Sequence, residues 1–391
     1  MDVSRNKSRI VVTCLSRLAP WVKKEITDSG YVPDRVFTTG VELHGTVNDC
    51  IRLNLNLRCA SQVLYLLREF QARSADDVYR QVKNFPWEVV IPSDGYFSVT
   101  STVSNPTIHN NLYVNVRVKD AIADRFREQT GRRPDSGADL SGVVIHLYWK
   151  DNHASLYLDT TGPSLARHGY RRQPGKAPML EALAAATIIA GKWDKKSPFI
   201  NPMCGSGTLA IEAALIASHR MPGLLRRDYA FKYVVGYDAA YYEYELAQLR
   251  EKVVSQNLPL IIASDIRREA VAEARANALQ AGVENLIRFE VCDFSETTIP
   301  SGANGVVYFN PEYGERLGEV SQLETVYKRI GDFLKQRCAG YTGYVFTASS
   351  ELAKKIGLRT SRKVEFYSAK LDCRLLEYEL YKGQEVRRAR N

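Results

Sequence analysis

The sequence predicts an α/β protein, with a doubly wound parallel sheet in the C-terminal half and a smaller α+β region before it. Three observations carry this. From residue 181 onward, apolar runs of strand length alternate with segments of helical period, as in a sheet covered on both faces. A glycine turn, Gly205-Ser-Gly207, joins one such strand to one such helix. Polar residues close the apolar runs at Asp265, Asp293 and Asn310, at the strand ends where open α/β sheets bind their ligands.

The elements follow in order. Ser8–Leu15 alternates as a strand, and Ala19–Ser29 has helix spacing closed by Gly30. Val36–Thr39 and Val41–His44, split by Gly40, read as a hairpin. Cys50–Arg68 carries Leu53, Leu57, Ala60, Val63, Leu64 and Leu67 at helical spacing, which predicts a long helical stretch that bends or breaks near Ser61. A short helix is expected in 74–89, a strand over Gly95–Val103, and a helix within Asn105–Arg133. Gly142–Trp149 and Ala154–Asp159 flank a turn. Residues 161–178, rich in Gly, Pro and Arg, read as a linker. Helices are then expected at 181–190, 208–218, up to Gln256, and over 266–279 closed by Gly282. Strands are expected at 258–263, 286–291, 306–309 and 343–347, helices at 323–334 and 352–356, and a closing antiparallel pair at 363–368 and 375–381.

A chain of 391 residues exceeds what one core usually serves. Its net charge of +9 favours polyanionic partners such as nucleic acid. The seven cysteines are scattered, with no Cys-x-x-Cys pair and no histidine at zinc spacing, which argues against a disulfide framework or a metal site and suits a reducing cytosol. No signal-type segment opens the chain, and the most apolar run, 179–190, is too short to span a bilayer. The expectation is a cytoplasmic monomer with no membrane partner.

Asn105–Arg133 interleaves Tyr113 and Phe126 with Arg117, Lys119, Arg125, Arg127, Arg132 and Arg133. Cations beside stacking rings suit a nucleic-acid surface, although an amphipathic helix with Ile122 and Phe126 facing the core explains the same spacing. Arg167, Arg171 and Arg172 add positive charge in the linker.

The glycine turn brings a ligand against N–H groups at a helix start, with Thr208 as a first-turn cap. A dinucleotide, a nucleotide or S-adenosyl-L-methionine would each fit such a turn. A dinucleotide fold expects its ribose acid about 20 residues past the glycines. Asp228 and Asp238 fall nearer that spacing, and Asp238 follows a strand-like Tyr233–Tyr237. Asp265 is preferred because a clear helix and the next strand follow it, which makes 221–257 an insertion. Asp265 would then accept the ribose hydroxyls, and Asp293 the adenine amine. Asn310-Pro-Glu-Tyr313 follows the next strand. A carboxamide and the adjacent backbone carbonyl can accept both hydrogens of an exocyclic amine and localise its lone pair. Pro311 fixes the chain, and Tyr313 stacks on the base. Methyl transfer to such an amine relies on positioning.

Asn201-Pro-Met-Cys-Gly-Ser-Gly-Thr, Met221-Pro-Gly-Leu and Asn310-Pro-Glu-Tyr-Gly-Glu-Arg-Leu together resemble the THUMP-domain 23S rRNA guanine-N2 methyltransferases. So do Val118-Lys-Asp-Ala-Ile-Ala-Asp, Leu165-Ala-Arg-His-Gly-Tyr-Arg and Leu371-Asp-Cys, so the resemblance runs through most of the chain. It implies a ferredoxin-like region (1–60), a THUMP RNA-binding domain (61–160), a linker (161–178) and a Rossmann-like methyltransferase domain (179–391). It implies S-adenosyl-L-methionine, held around Asn201, Met203, Cys204, Gly205, Ser206, Gly207, Asp265 and Asp293. Asn310, Pro311 and Tyr313 would hold the target base, and Arg117, Lys119, Arg167, Arg171 and Arg172 the RNA. The implied product is N2-methylguanosine in 23S rRNA. The alternatives are tRNA guanine-N2 methylation, a catalytically weak RNA-binding or ribosome-assembly factor, and glutamine methylation in a protein. Some relatives carry a second, C-terminal methyltransferase, which a chain ending at Asn391 is expected to lack. Two positions depart from the family pattern: Asn201 replaces an acid, and Glu312 replaces a second proline.

Overall fold

Two β-sheets organise the computed structural model, which describes residues 6–105, 108, 110–171, 179–302, 304–313, 320–369 and 371–381. The chain divides into two units. One comprises Met1–Leu15, Val22–Ala166 and Pro222–Glu251; the other comprises Ser16–Trp21, Arg167–Met221 and Lys252–Asn391. The described helices are α1 (Ala19–Asp28), α2 (Val47–Asn56), α3 (Ala75–Lys83), α4 (Asn111–Thr130), α5 (Glu181–Ala190), α6 (Thr208–Ala217), α7 (Ala239–Glu251), α8 (Arg268–Gln280), α9 (Val320–Arg337) and α10 (Ser350–Lys355).

The first sheet contains β1 (Ser8–Cys14), β2 (Arg35–Phe37), β3 (Gly40–Gly45), β4 (Ala60–Gln71), β5 (Tyr96–Ser104), β6 (Asp135–Gly137), β7 (Val143–Lys150) and β8 (His153–Asp159). Their order is β2-β3-β1-β4-β8-β7-β5-β6. The ferredoxin-like and THUMP regions therefore share one sheet, joined where β4 pairs with β8.

The long helix expected over Cys50–Arg68 is instead a helix followed by a strand. A capping box at Thr46 and Asp49 starts α2, and extended backbone at Leu57 ends it. The half-buried Glu25 carboxylate on α1 then accepts the Arg58 and Cys59 N–H groups at 2.9 and 3.0 Å. Val63 and Leu64 lie in β4, between β1 and β8. Ladder pairing on both sides outweighs the helical spacing, as tertiary context routinely outweighs propensity.

The second sheet contains β9 (Phe199–Pro202), β10 (Ile261–Asp265), β11 (Ile287–Val291), β12 (Val306–Phe309), β13 (Thr342–Thr347), β14 (Arg362–Ser368) and β15 (Leu371–Glu379). The order is β11-β10-β9-β12-β13-β15-β14. The first five strands are parallel, and β15 is antiparallel to both neighbours. Every residue of β9, β10 and β12 is buried, as expected for strands covered on both faces. Ile200, Ile262, Val307 and Val345 form a core with Tyr327, Ile330, Phe333 and Leu334 of α9.

The expected insertion is real, but its fold belongs elsewhere. Pro222–Glu251 is part of the first unit. There Ala230 N–H donates to the Thr161 carbonyl at 3.2 Å and Phe231 N–H to the Thr160 carbonyl at 3.0 Å. Tyr233–Tyr237 is not a strand; a 3-10 turn covers Ala230–Tyr233. That removes the case for Asp238 as a strand-end acid.

Candidate active site

Strands β11, β10, β9 and β12 end side by side. β9 pairs with β10 as far as Pro202, but with β12 only through Phe199 and Ile200. The parting of β9 from β12 is the topological switch point, where open α/β sheets hold ligands.

The turn after β9 is bent by left-handed backbone at Met203 (φ 55°), Gly205 (φ 53°) and Gly207 (φ 81°). A side chain at Gly205 would meet nothing within 4 Å, so the turn is open there. A Cβ at Gly207 would lie 2.8 Å from that of Ala274, so this glycine lets α8 pack against the turn. Asn277 of α8, itself buried, donates to the Ser206 carbonyl at 3.1 Å. Cys204 is buried, and burial pushes its thiol well above the ordinary range, which makes it an inert packing group.

Thr208 is not the helix cap. Gly207 occupies that position without a side-chain bond, and the Thr208 hydroxyl accepts from Arg171 Nη2 at 2.8 Å. The first-turn N–H groups of α6 are therefore left without a side-chain cap, which suits an anionic or polar ligand.

Asp265 ends β10 and is buried. One carboxylate oxygen accepts the Gly205 N–H and the other the Arg267 N–H, both at 3.0 Å. A carboxylate has about four acceptor positions, so capacity remains for a diol. Asp293 follows β11 and accepts from Ser295 N–H and Oγ at 2.9 and 2.6 Å, and from Arg329 Nη2 at 2.7 Å. Partial burial works against its ionised form, but the Ser295 and Arg329 bonds outweigh this and hold its carboxyl below the usual range. All these contacts use Oδ1.

Asn201, the residue that replaces an acid, is buried, and its Nδ2 donates to the Tyr308 carbonyl at 2.9 Å. Its Oδ1 is buried with no hydrogen-bond partner. The same is true of Asn310 Oδ1, just past β12. Buried Tyr327 of α9 donates to the Glu312 carbonyl at 3.3 Å and so anchors the turn where the second proline is missing. The Glu312 side chain is exposed, Pro311 is buried, and Tyr313 is half-buried, edge-on to Phe346 at 6.3 Å.

The expected RNA residues separate. Arg117 bonds Asp76 at 2.6 Å and stacks on Tyr79 at 4.5 Å, so its guanidinium is already engaged. Ile122 and Phe126 are buried, in line with the amphipathic-helix explanation for α4. Lys119 is half-buried and Arg167 exposed. Arg172 lies outside the described residues. Arg171 requires correction. Its side chain is 13% exposed and turned inward, donating to Thr208 and to the Met179 carbonyl at 3.1 Å, with Glu181 at 3.9 Å. His168 Nδ1 and the Tyr170 hydroxyl meet the buried Glu212 carboxylate at 2.8 and 2.9 Å. Thr208 and Glu212 lie one turn apart on α6, so residues 168–171 are strapped along the helix behind the glycine turn. Sequence reading missed this strap and Asn277. The alternation of buried His168 and Tyr170 with exposed Arg167 and Gly169 is the signal that a plain linker would lack.

Among the described residues, no group of three or more His, Cys, Asp or Glu could hold a metal ion, and no helix is long and apolar enough to cross a membrane. The open Gly205, the unpartnered Asn201 and Asn310 oxygens, and the strand-end acids fit a nucleoside-bearing cofactor with a positively charged amino-acid end.

Comparison with known proteins agrees with this geometry. Residues 168–377 match the family described as "RMKL-like, methyltransferase domain", 72–159 match the THUMP domain, and 9–64 match the RlmL ferredoxin-like domain. A ribosomal RNA large subunit methyltransferase K/L of Syntrophotalea carbinolica is 34% identical over 95% of this chain and 53% of its own length. The chain thus spans about half the length of such K/L relatives. A Synechocystis protein named as a candidate RNA methyltransferase is 34% identical over 92% of this chain and 93% of its own. Among solved structures, SMU.472, a candidate methyltransferase complexed with SAH, has a TM-score of 0.87 at 26% identity, covering 97% of this chain and 99% of its own. A candidate N6-adenine-specific DNA methylase from Listeria monocytogenes has a TM-score of 0.86 at 29% identity, covering 96% and 97%.

Proposed function

We propose that this chain, which belongs to the THUMP-containing RMKL-like methyltransferase family, is an S-adenosyl-L-methionine-dependent RNA methyltransferase forming N2-methylguanosine in 23S rRNA. The cofactor supplies an electrophilic methyl group carried on a sulfonium. Gly205, Ser206 and Gly207, with the start of α6, would hold it, Asp265 taking the ribose and Asp293 lying on the adenine side.

The observation that carries the reading is the buried, unpartnered Oδ1 of Asn310 at the switch-point end of β12. Leaving such an acceptor unbonded costs about 1–3 kcal/mol, which an incoming N–H donor would recover. The guanine N2 amine has two N–H groups, one for Asn310 Oδ1 and one for the Pro311 carbonyl. Held by both, the amine keeps its lone pair directed at the methyl donor and out of the ring. Tyr313 is the ring that would cover a base taken out of its stack. Lys119 and Arg167 would contribute phosphate contacts, and a ribosomal substrate implies a cytoplasmic location.

The test is nucleoside mass spectrometry of 23S rRNA and tRNA from a strain lacking the gene. One N2-methylguanosine should disappear from 23S rRNA and return with the wild-type gene but not with Asn310→Ala. Loss from tRNA would move the substrate to tRNA, loss of a methyladenine would move the acceptor, and no change would refute the reading.

A further inference from the structure

We propose that Glu181, at the start of α5, is the counter-ion for the cofactor's positively charged amino group, supplying a charge that Asn201 does not carry. The inference rests on the reading of Gly205–Gly207 and Asp265 as the S-adenosyl-L-methionine site given above.

Arg171 brings the starts of two helices together. Its Nη2 donates to the hydroxyl of Thr208, the first residue of α6, at 2.8 Å. The same nitrogen donates to the Met179 carbonyl, just ahead of α5, at 3.1 Å. Glu181, the first residue of α5, therefore stands at the same end of the sheet as the glycine turn. It lies about 9 Å along the helix axis from Thr187, whose carbonyl accepts from Tyr308 of β12.

Glu181 is 2% exposed. Its Oε2 is buried with no hydrogen-bond partner, and Arg171 Nη1 stays 3.9 Å away, too far for a hydrogen bond. Burial pushes its carboxyl up against the pull of Arg171, so the guanidinium alone does not offset the lost hydration. A buried carboxylate in this condition is costly to ionise until a cation with N–H donors reaches it.

The other acids nearby are engaged. Glu212 also has an unpartnered Oε2, but it sits one turn further along α6, where His168 and Tyr170 occupy its Oε1. Asp265 fastens the glycine turn and is assigned to the ribose, and Asp293 is held by Ser295 and Arg329. The amino-acid end of S-adenosyl-L-methionine carries a carboxylate and an ammonium on one carbon. The uncapped first turn of α6 suits the carboxylate. The ammonium has three N–H donors; Asn201 Oδ1 offers it an uncharged acceptor and Glu181 Oε2 a charged one.

The experiment measures, by calorimetry, the affinity of wild type and Glu181→Gln for S-adenosylhomocysteine and for its deaminated analogue, in which hydrogen replaces the amino group. Thermal unfolding is recorded alongside. Wild type should bind the analogue roughly ten- to a hundredfold more weakly, the scale of a charge-assisted hydrogen bond. Glu181→Gln should lose a similar factor toward S-adenosylhomocysteine and bind the analogue as well as wild type does. A purely structural role would weaken both ligands alike, and that outcome overturns the inference, as does an unchanged affinity for S-adenosylhomocysteine. If Glu181→Gln does not fold, Glu181→Asp carries the test. It keeps the charge but draws it back by one methylene, so it should lose affinity for S-adenosylhomocysteine and not for the analogue. A wild type that binds no S-adenosylhomocysteine would refute the cofactor reading and this inference with it. A wild type that binds both ligands equally would refute this inference alone.

Discussion

The backbone N–H of Gly205 donates to the Asp265 carboxylate at 3.0 Å, which fastens the glycine turn after β9 to the end of β10. One side chain thus closes the glycine turn and, in the proposed function, presents the acid for the ribose. Asp265→Ala should weaken cofactor binding by roughly ten- to a hundredfold, the equivalent of one or two charge-assisted hydrogen bonds. Calorimetric titration with S-adenosylmethionine checks this. Affinity equal to wild type would remove Asp265 from the site.

Asn310→Ala should leave cofactor affinity intact and lower kcat by about 10²–10³-fold, the usual cost of one preorganised active-site hydrogen-bonding group. Single-turnover methyl transfer to rRNA measures it. A loss confined to KM would mean that Asn310 only binds substrate.

The two glycines of the turn should respond differently to alanine. Gly207→Ala places a methyl group 2.8 Å from the Ala274 Cβ at φ 81°, so it should destabilise the fold by roughly 2–4 kcal/mol. Gly205→Ala meets open space at φ 53° and should cost about 1–2 kcal/mol, yet obstruct the cofactor. Urea denaturation and calorimetry, run on both variants, separate the effects.

Arg167 and Arg171 were expected to act together on RNA, but the structure assigns them different surroundings. Arg167→Ala should lower the salt slope of RNA binding by about one. Arg171→Ala, which frees Thr208 at the start of α6, should weaken cofactor binding and leave that slope unchanged. Filter binding across a salt series decides. A reduced slope for Arg171→Ala would put its guanidinium back on the RNA.

His146 is 8% exposed, beside the Thr100 hydroxyl at 2.9 Å, and burial pushes its pKa down to about 4 from 6.5. Above pH 6.5 the ring is neutral in both folded and unfolded chains, and stability is undiminished. As pH falls toward 4 the unfolded chain takes up the proton first, so about 3 kcal/mol is lost over that window. Buried Asp159, pushed up to about 6 by desolvation against its Thr161 and Gly162 bonds, works in the opposite direction as it protonates. The measurement is therefore the difference between wild type and His146→Gln in urea denaturation from pH 4 to 7. A pH-independent difference would show that His146 charges freely in the folded state.

Much of the catalytic half was legible because strand ends there are marked by chemistry. Gly205, Asp265, Asp293 and Asn310 each close an apolar run, and parallel strands bring such ends together whatever the loop lengths. β4 was not legible: Val63, Leu64 and Leu67 have helical spacing, and only pairing with β1 and β8 makes them a strand. Nor was the placement of Pro222–Glu251, whose backbone bonds to residues 160 and 161 join positions about seventy residues apart.

By itself, then, the sequence determined the class of fold, the strand-end positions of the candidate site residues and the kind of chemistry they suit. These follow from local patterns: hydrophobic period, glycine at a bend, a polar residue after an apolar run. The tertiary structure alone decided which polar groups are satisfied. It occupied Arg117 with Asp76 and turned Arg171 to Thr208. It pinned the Glu312 carbonyl by Tyr327 and left the Asn201 and Asn310 oxygens unpaired. Hydrogen-bond partnership depends on groups distant in sequence meeting within about 3 Å, and no local pattern encodes that.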